Sequence, residues 1–261
     1  MEHEIFQRIE NSKKPDFSDV ISKSFDLYKK YFTQGLVHSL VALALMIPLI
    51  LIIYIPLLPM YSEMIQNVGN PSYQPSMFED YSIGAIVGWY LLVFLASFVM
   101  QAVNMSVFGH FFKFLKKEDL KTNEDIGGYF TLLKENFSKL LVLSLATMGI
   151  AIVAMLLCYL PIFYVIIPLH WIFPIFIFNT NLSVQDTVKA AFKFGHKNWG
   201  VFLGIGFVCS LLSSLGMIAC YIGLFATMFF PYIATYVTYR DTIGFQEGDD
   251  VIDTIGVVEQ E

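Results

Sequence analysis

The sequence contains few charged residues. Of its 261 residues, 15% are Asp, Glu, Lys or Arg and 56% are hydrophobic, whereas soluble domains have about 25% charged and about 45–50% apolar residues. Four stretches contain no charged residue at all: 31–62, 81–112, 140–185 and 198–239. This composition indicates a membrane protein and argues against a large soluble domain.

The sequence also lacks the motifs of common catalytic and cofactor sites. Its five histidines are scattered without HExxH spacing, and it contains no P-loop, no GxSxG and no GxGxxG. The three cysteines form no CxxC pair and are interpreted as apolar packing residues: Cys158, Cys209 and Cys220. We therefore predict a protein that is not an enzyme and needs no cofactor or metal.

The uncharged stretches predict six transmembrane helices. One crossing needs roughly 20 residues, so the two shorter stretches hold one helix each. The two longer ones hold two each, broken near residues 158–161 and 216–223. With this count all 16 Lys and Arg fall on one side of the membrane, which is the cytoplasmic side by the positive-inside rule.

This topology predicts a bacterial inner-membrane protein with both termini in the cytoplasm. Its lysines would then face anionic lipid headgroups. Membrane lipids, and not nucleic acids, are therefore the expected partners of the basic surface. Residues 1–18 are predicted to be a flexible cytoplasmic lead-in, and residues 241–261 an acidic cytoplasmic tail.

Three segments of the chain align without a gap: 19–40, 124–145 and 186–207. In each, apolar residues recur at helical spacing with lysines elsewhere on the helix, which is typical of an amphipathic helix at the membrane interface. We predict that aromatic residues form the elbow between this helix and the following span: Phe25, Phe32, Phe130, Phe137, Phe192 and Trp199. An elbow that packs on its own bundle is favoured over a lipid sensor or a partner groove.

The predicted fold is therefore an all-α polytopic membrane protein made of three repeats. Each repeat contains one interfacial amphipathic helix and two spans. The units lie near 19–112, 124–179 and 186–239, within a single membrane domain that covers 19–240.

Three polar residues inside the predicted spans form the candidate site. Gln101 and Asn104 lie three residues apart in the second span, and His170 lies between Pro168 and Pro174 in the fourth. Polar side chains within a bilayer need hydrogen-bond partners, so hydrogen bonds between helices are the simpler interpretation. A polar site along a transport path is the alternative, because broken helices build transporter sites.

Residues 174–178 (PIFIF), 188–199 and the glycine-rich 200–206 resemble the membrane domain of glycerophosphoryl diester phosphodiesterases and related six-span bacterial membrane proteins. The shared pattern is a span ending in a proline-containing apolar segment, followed by a short helix and a join like Lys197-Asn198-Trp199. Relatives often have an acid at the position of Asn179. No segment here is long enough for the phosphodiesterase domain, so the resemblance implies a membrane-embedded accessory or scaffold role.

Two functions stay open. One is a non-catalytic scaffold or accessory subunit that binds another membrane protein, supported by the missing catalytic groups and by small-residue spacings such as Gly200-x-x-x-Gly204. The other is a transporter, channel or binding protein for an apolar or lipid-like solute. The two differ in whether Gln101, Asn104 and His170 meet in a cavity.

Overall fold

The computed structural model describes residues 4–74, 81–157, 159–218 and 222–245. The regular structure in these ranges is helical, without strands, which confirms the all-α class. The α-helices are α1 (Glu4–Asn11), α2 (Phe17–Lys30), α3 (Phe32–Tyr54), α4 (Leu58–Gln66), α5 (Ile83–Leu120), α6 (Thr131–Leu156), α7 (Leu160–Phe178), α8 (Val184–Lys197), α9 (Trp199–Ile218), α10 (Ile222–Thr227) and α11 (Phe230–Thr242). A 3-10 turn at Ile55–Leu57 joins α3 to α4. The predicted tail beyond residue 245 lies outside the described residues.

Within the described ranges, five helical stretches are long and apolar enough to cross a membrane: Phe32–Gln66, Ile83–Leu120, Thr131–Leu156, Leu160–Phe178 and Trp199–Gly216. They contain the first five predicted spans and give the pattern of a multi-pass membrane protein. The region of the predicted sixth span is instead divided into α10 and α11. With 13 residues, α11 is about 20 Å long and is shorter than the roughly 30 Å hydrocarbon core.

Side chains at one end of the long helices are exposed, whereas those at the other end are buried. The 38 residues of α5 extend over about 57 Å. Its first part, 83–99, exposes many large apolar side chains, whereas most of 102–116 is buried. We call the part of the molecule that contains residues 83–99 the exposed half and the other part the packed half. The packed half comprises α1, α2, α8, α11 and residues 32–42, 102–120, 131–144 and 167–178. Most of the buried core lies there.

The centre of the packed half is α11. Every residue from 233 to 239 is buried, so this helix is apolar because it lies inside the protein. The ring of Phe230 contacts Phe25 of α2 at a centroid distance of 4.9 Å, and Phe229 stacks on Tyr28 at 5.1 Å. These contacts place the first elbow against the start of α11.

Helices α2 and α8 precede the first and third predicted elbows. In both, the buried face lies next to the face that carries the predicted elbow aromatic residue. Phe25 and Phe192 are only partly buried. The fully buried side chains occupy corresponding positions of the two helices: Val20, Ser24 and Leu27 in α2, and Thr187, Ala191 and Phe194 in α8. Both helices are thus part of the core of the packed half.

In the second aligned segment the elbow helix is reduced to about one turn, Thr131 to Glu135, before the non-helical Asn136. Residues 122–128 are not helical, and α6 begins only at Thr131. Gly127 has φ +67, a left-handed conformation that interrupts a helix. Phe130 and Phe137, at either end of the first turns of α6, are 40% and 52% exposed.

The three aligned segments nevertheless share one backbone feature. Tyr31, Asn136 and Asn198 occupy corresponding positions, with φ of −112, −125 and −123 and ψ of 24, 26 and 27. In each case the next residue is the predicted closing aromatic, and helical geometry resumes there. Each segment therefore bends at the same place in the alignment.

The segment predicted to be a flexible lead-in contains a docked helix, which corrects that expectation. Ile5 and Ile9 of α1 are 2% and 0% exposed, and the Arg8 guanidinium donates to Asn179 Oδ1 at 2.9 Å. The Lys197 ammonium donates to the carbonyl oxygens of Ile9, Glu10 and Ser12 at 2.9, 2.6 and 2.8 Å. The Ile9 carbonyl also accepts from the Ser12 hydroxyl at 2.7 Å, so Lys197 matters most for the carbonyls of Glu10 and Ser12 at the end of the helix. Two isoleucines one turn apart are too weak a pattern to predict this docking.

We expect Lys197→Met to release α1 from α8. Methionine has a similar length but donates no hydrogen bond, and a carbonyl left unsatisfied costs about 1–3 kcal/mol. Hydrogen exchange measured by mass spectrometry should therefore be about tenfold faster or more over residues 4–12. Lys189→Met is the matched control, since Lys189 is exposed on the same helix. Equal exchange in the two variants would contradict this role of Lys197.

Candidate functional site

Gln101, Asn104 and His170 line one cavity. It lies between α5, α6, α7 and α11 and has a volume of about 500 Å³. Its other polar lining residues are Thr147, Tyr232 and Thr235. We call it the polar cavity, since three separate helices and α11 each contribute a hydrogen-bonding side chain to it.

A second cavity adjoins the first. It lies between α7, α9 and α11, has a volume of about 440 Å³, and is lined mainly by apolar side chains, including Ile167, Trp171, Phe202, Ile205 and Cys209. We call it the apolar cavity. His170, Pro231 and Thr235 line both cavities. These three residues therefore form the partition between a polar and an apolar space.

The partition is held by a hydrogen bond between α7 and α11. His170 Nε2 lies 2.8 Å from Thr235 Oγ1, and the Thr235 hydroxyl donates to the carbonyl oxygen of Pro231 at 2.8 Å. Because the threonine proton is used in that bond, the hydroxyl oxygen is the acceptor and His170 Nε2 is the donor. Nδ1 of the neutral ring is then left as an acceptor.

The two amides of the site differ in how they are bonded. Asn104 Nδ2 donates to Met46 Sδ on α3 at 3.0 Å and to the carbonyl oxygen of Met100 at 3.1 Å. For Asn104 the structure therefore contains the interhelical contact of the simpler interpretation. Gln101 makes no hydrogen bond to any described residue, so its amide remains available within the polar cavity.

An aromatic donor is available on the apolar side. Trp171 is 2% exposed, and its Nε1 has no hydrogen-bond partner among the described residues. Its ring packs on Phe194 and Phe202 at centroid distances of 4.7 and 4.8 Å. A buried donor without a partner costs free energy, which a hydrogen-bonding ligand in the apolar cavity would recover.

The lining residues of both cavities carry no charge. None is Asp, Glu, Lys or Arg, and the described residues contain no group of three or more His, Cys, Asp or Glu that could hold a metal ion. Cys209 is buried with a free thiol, while Cys158 and Cys220 lie outside the described residues. The cavities therefore offer neutral hydrogen bonds and apolar contact.

Sequence reasoning missed part of this site. Thr235, Thr147 and Tyr232 were not singled out, because hydroxyl groups are common in membrane helices and often bond their own backbone. The only signal was Thr235 itself, because a threonine hydroxyl in a helix often bonds the carbonyl one turn earlier, here that of Pro231. Trp171, next to His170, was also not predicted to line the site.

Together these features define an all-helical multi-pass membrane protein with two adjoining cavities between its helices, both open to the protein surface. The chain matches no family model, no curated protein and no solved structure.

Proposed function

We propose that this protein binds an uncharged lipid-like solute inside its membrane domain and acts as its carrier or transporter. The observation that carries this proposal is the convergence of Gln101, Asn104 and His170 on one cavity. Had these side chains only bonded neighbouring helices, they would have favoured a purely structural role. Their meeting beside an apolar cavity favours a ligand with two chemically different parts.

The shapes and linings of the two cavities support this class of ligand. Their volumes of about 500 and 440 Å³ lie in the range of small-molecule sites. The apolar cavity suits a hydrocarbon chain, since each buried methylene contributes about 0.8 kcal/mol. The polar cavity suits a hydroxyl, ester or amide group. A phosphate or carboxylate is disfavoured there, because a buried charge without a counter-ion is costly.

We also propose the membrane arrangement on which this function rests. α10 and α11 together make the sixth crossing, and the lysine-bearing packed half lies at the cytoplasmic face of a bacterial inner membrane, with both termini inside. The common bend at Tyr31, Asn136 and Asn198 supports three repeated units. The sequence resemblance to phosphodiesterase membrane domains supports the same six-span arrangement.

A scaffold or accessory subunit without catalytic activity is the second candidate. Small residues lie on the exposed surface of α9: Gly200, Gly206, Ser210 and Ser214. Of these, Gly206 and Ser210 also line the apolar cavity. A Cβ atom at Gly206 would meet nothing within 4 Å, so another helix can approach this face closely, as in small-residue contacts between membrane helices. The partner in this case is another integral membrane protein.

The two functions are tested by two variants of α9. The protein is purified in mild detergent, and bound lipids and proteins are identified by mass spectrometry. Cys209→Phe places a large ring in the apolar cavity. The ring would displace part of a bound hydrocarbon chain, and losing the burial of about two methylenes costs at least ~1.4 kcal/mol of binding free energy. We therefore expect about tenfold less co-purifying lipid. Ser214→Phe, on the exposed face of the same helix, should leave that lipid unchanged.

The opposite pattern identifies the second function. If the wild-type protein carries a stoichiometric membrane protein that Ser214→Phe removes, and carries no lipid sensitive to Cys209→Phe, the scaffold role holds and the carrier proposal is wrong. His170→Ala provides a further check of the carrier. It removes the bond to Thr235 and should change which lipids are retained.

A further inference from the structure

A second cluster of titratable groups lies in the packed half, away from both cavities. His38 of α3 is 1% exposed, and its Nε2 lies 2.8 Å from Nδ1 of His110 on α5. The two remaining ring nitrogens face backbone carbonyls. His38 Nδ1 is 2.6 Å from the oxygen of Gln34, and His110 Nε2 is 3.2 Å from the oxygen of Gly127.

The three hydrogen-bond contacts of His38 and His110 require more protons than two neutral imidazole rings carry. Each of the three contacts needs one proton to be a hydrogen bond, and carbonyl oxygens supply none. Two neutral imidazoles carry only two ring protons between them. If both are used toward the carbonyls of Gln34 and Gly127, the two inner nitrogens face each other at 2.8 Å with two lone pairs and no proton.

We propose that His38 and His110 form a proton-binding site that holds one proton between Nε2 of His38 and Nδ1 of His110. With this proton all three hydrogen bonds are made, and the pair carries a single positive charge. The proton comes from water and returns to water. In the bound state one ring is an imidazolium that donates to the lone pair of the other ring.

The surroundings of the pair act in both directions, since burial of His38 disfavours a charge while neighbouring aromatic rings attract one. The ring of Tyr129 lies at centroid distances of 5.1 Å from His38 and 4.7 Å from His110, and Phe111 lies 4.9 Å from His38. The faces of aromatic rings attract cations. Lys113, one turn along α5, is repulsive. The carboxylate of Asp125 accepts from the Gly127 N–H at 2.9 Å, so an acidic group adjoins the residue that His110 contacts.

The distances favour a proton over a metal ion. A separation of 2.8 Å between two nitrogens is that of an ordinary hydrogen bond. A zinc ion would have to lie off the line between them, about 2.0–2.1 Å from each, and would need further protein ligands. No third His, Cys, Asp or Glu joins the pair in a metal-binding group among the described residues.

Loss of the proton has a structural consequence. One of the three hydrogen bonds must then be given up, and the contact to Gly127 is the longest at 3.2 Å. Gly127 lies in the non-helical segment 122–128 that joins α5 to α6. Release of the proton therefore loosens this connection, while α3 and α5 remain held by their apolar contacts.

The test is nitrogen NMR of the full-length protein in lipid nanodiscs, with ¹⁵N-labelled histidine. Ring nitrogen shifts separate the two neutral tautomers from the imidazolium. Spectra are recorded from about pH 4 to about pH 9, and His38→Gln and His110→Gln assign the signals. We expect His38 and His110 to lose one shared proton in a single step seen at both rings. Each single variant should leave the remaining ring neutral over more of this range.

Two results would overturn the proposal. One is independent titration of the two rings, or a His38 ring that stays neutral with its proton on Nε2 at every pH. The other is a change at both rings on adding zinc ions at neutral pH, which would assign the site to a metal. His170 and His196 are internal references in the same spectra, and the shared step is read from the wild-type protein, whatever the stability of the variants.

Discussion

Replacing Gly195 with alanine is expected to destabilise the protein by about 2 kcal/mol, as an overpacked contact between helices does. Gly195 lies where α8 crosses α7. A Cβ atom there would come within 2.8 Å of Cα and 3.0 Å of N of Pro168. These are backbone atoms of a proline inside a helix, so no side-chain rotation can relieve the clash. Helix α8 would have to move away from α7.

Moving α8 has a large effect because it carries other core contacts. Phe194, the preceding residue, packs on Trp171 at a centroid distance of 4.7 Å, and Lys197 holds α1. Displacing the helix weakens both. Gly195→Val should be worse than Gly195→Ala, since the extra methyl groups enlarge the same clash.

The matched control is Gly149→Ala in α6. A Cβ at Gly149 would meet nothing within 4 Å, so only the higher helix propensity of alanine remains, worth about 0.5–1 kcal/mol of stabilisation. Thermal unfolding in detergent should therefore shift in opposite directions for the two variants. A Gly195→Ala protein as stable as the wild type would show that the α7–α8 contact is looser than described.

Much of the fold follows from the distribution of charge in the sequence. The uncharged stretches predict the five long helices, because crossing a bilayer excludes charged side chains. The ends of these helices are less predictable. α5 continues to Leu120, eight residues past the uncharged stretch that ends at residue 112, and includes Lys113, Lys116 and Lys117. Lys116 is 6% exposed and pairs with Glu124 at 3.4 Å, a contact between residues in different segments that periodicity does not reveal.

The region of the predicted sixth span, where we propose that α10 and α11 together cross the membrane, shows a second limit. Hydropathy measures the transfer of a side chain out of water and does not distinguish lipid from a protein interior. α11 is apolar because α2, α5, α7 and α9 surround it. Conversely, the glycines and serines of α9 suggest a tightly packed helix, yet Gly206 and Ser210 lie on its exposed face.

The candidate site was predictable only in part, for a related reason. Gln101, Asn104 and His170 stand out as polar residues in apolar stretches, so composition alone selects them. That they share one cavity depends on the relative rotation of α5 and α7, which the sequence does not specify. The contribution of Thr235 depends on α11 lying inside the bundle, and that placement was the least predictable part of the fold.

Replacing Asp119 with alanine should destabilise the protein by about 2 kcal/mol. Asp119 ends α5, and its Oδ2 accepts from the guanidinium of Arg240 at 2.5 Å and from the hydroxyl of Tyr236 at 3.0 Å. The side chains of Asp119 and Arg240 are 18% and 21% exposed. Removing one partner of a buried pair costs about 3–5 kcal/mol, because the other charge is left uncompensated.

The expected loss lies below that range because Arg240 keeps a second partner. Its Nε donates to Asp241 Oδ1 at 2.7 Å. Partial burial alone would raise the pKa of Asp241, but hydrogen bonds from Arg240 and Lys23 outweigh it and hold the pKa below its usual value. Asp241 therefore stays ionised in the Asp119→Ala protein at neutral pH, and the guanidinium is not left alone. The buried Tyr236 hydroxyl loses its only carboxylate acceptor and accounts for much of the remaining loss.

An exposed ion pair in the same half provides the comparison. Asp19 and Lys23 are 2.7 Å apart, with side chains 54% and 43% exposed, and such pairs contribute about 0–1 kcal/mol. Asp19→Ala should therefore change the unfolding temperature little, while Asp119→Ala lowers it clearly under identical detergent conditions. If the two variants were equally stable, Asp119 would not join the end of α5 to α11. The double variant Asp119→Ala, Asp241→Ala leaves Arg240 without either carboxylate. We expect its loss of stability to exceed the sum of the losses of the two single variants.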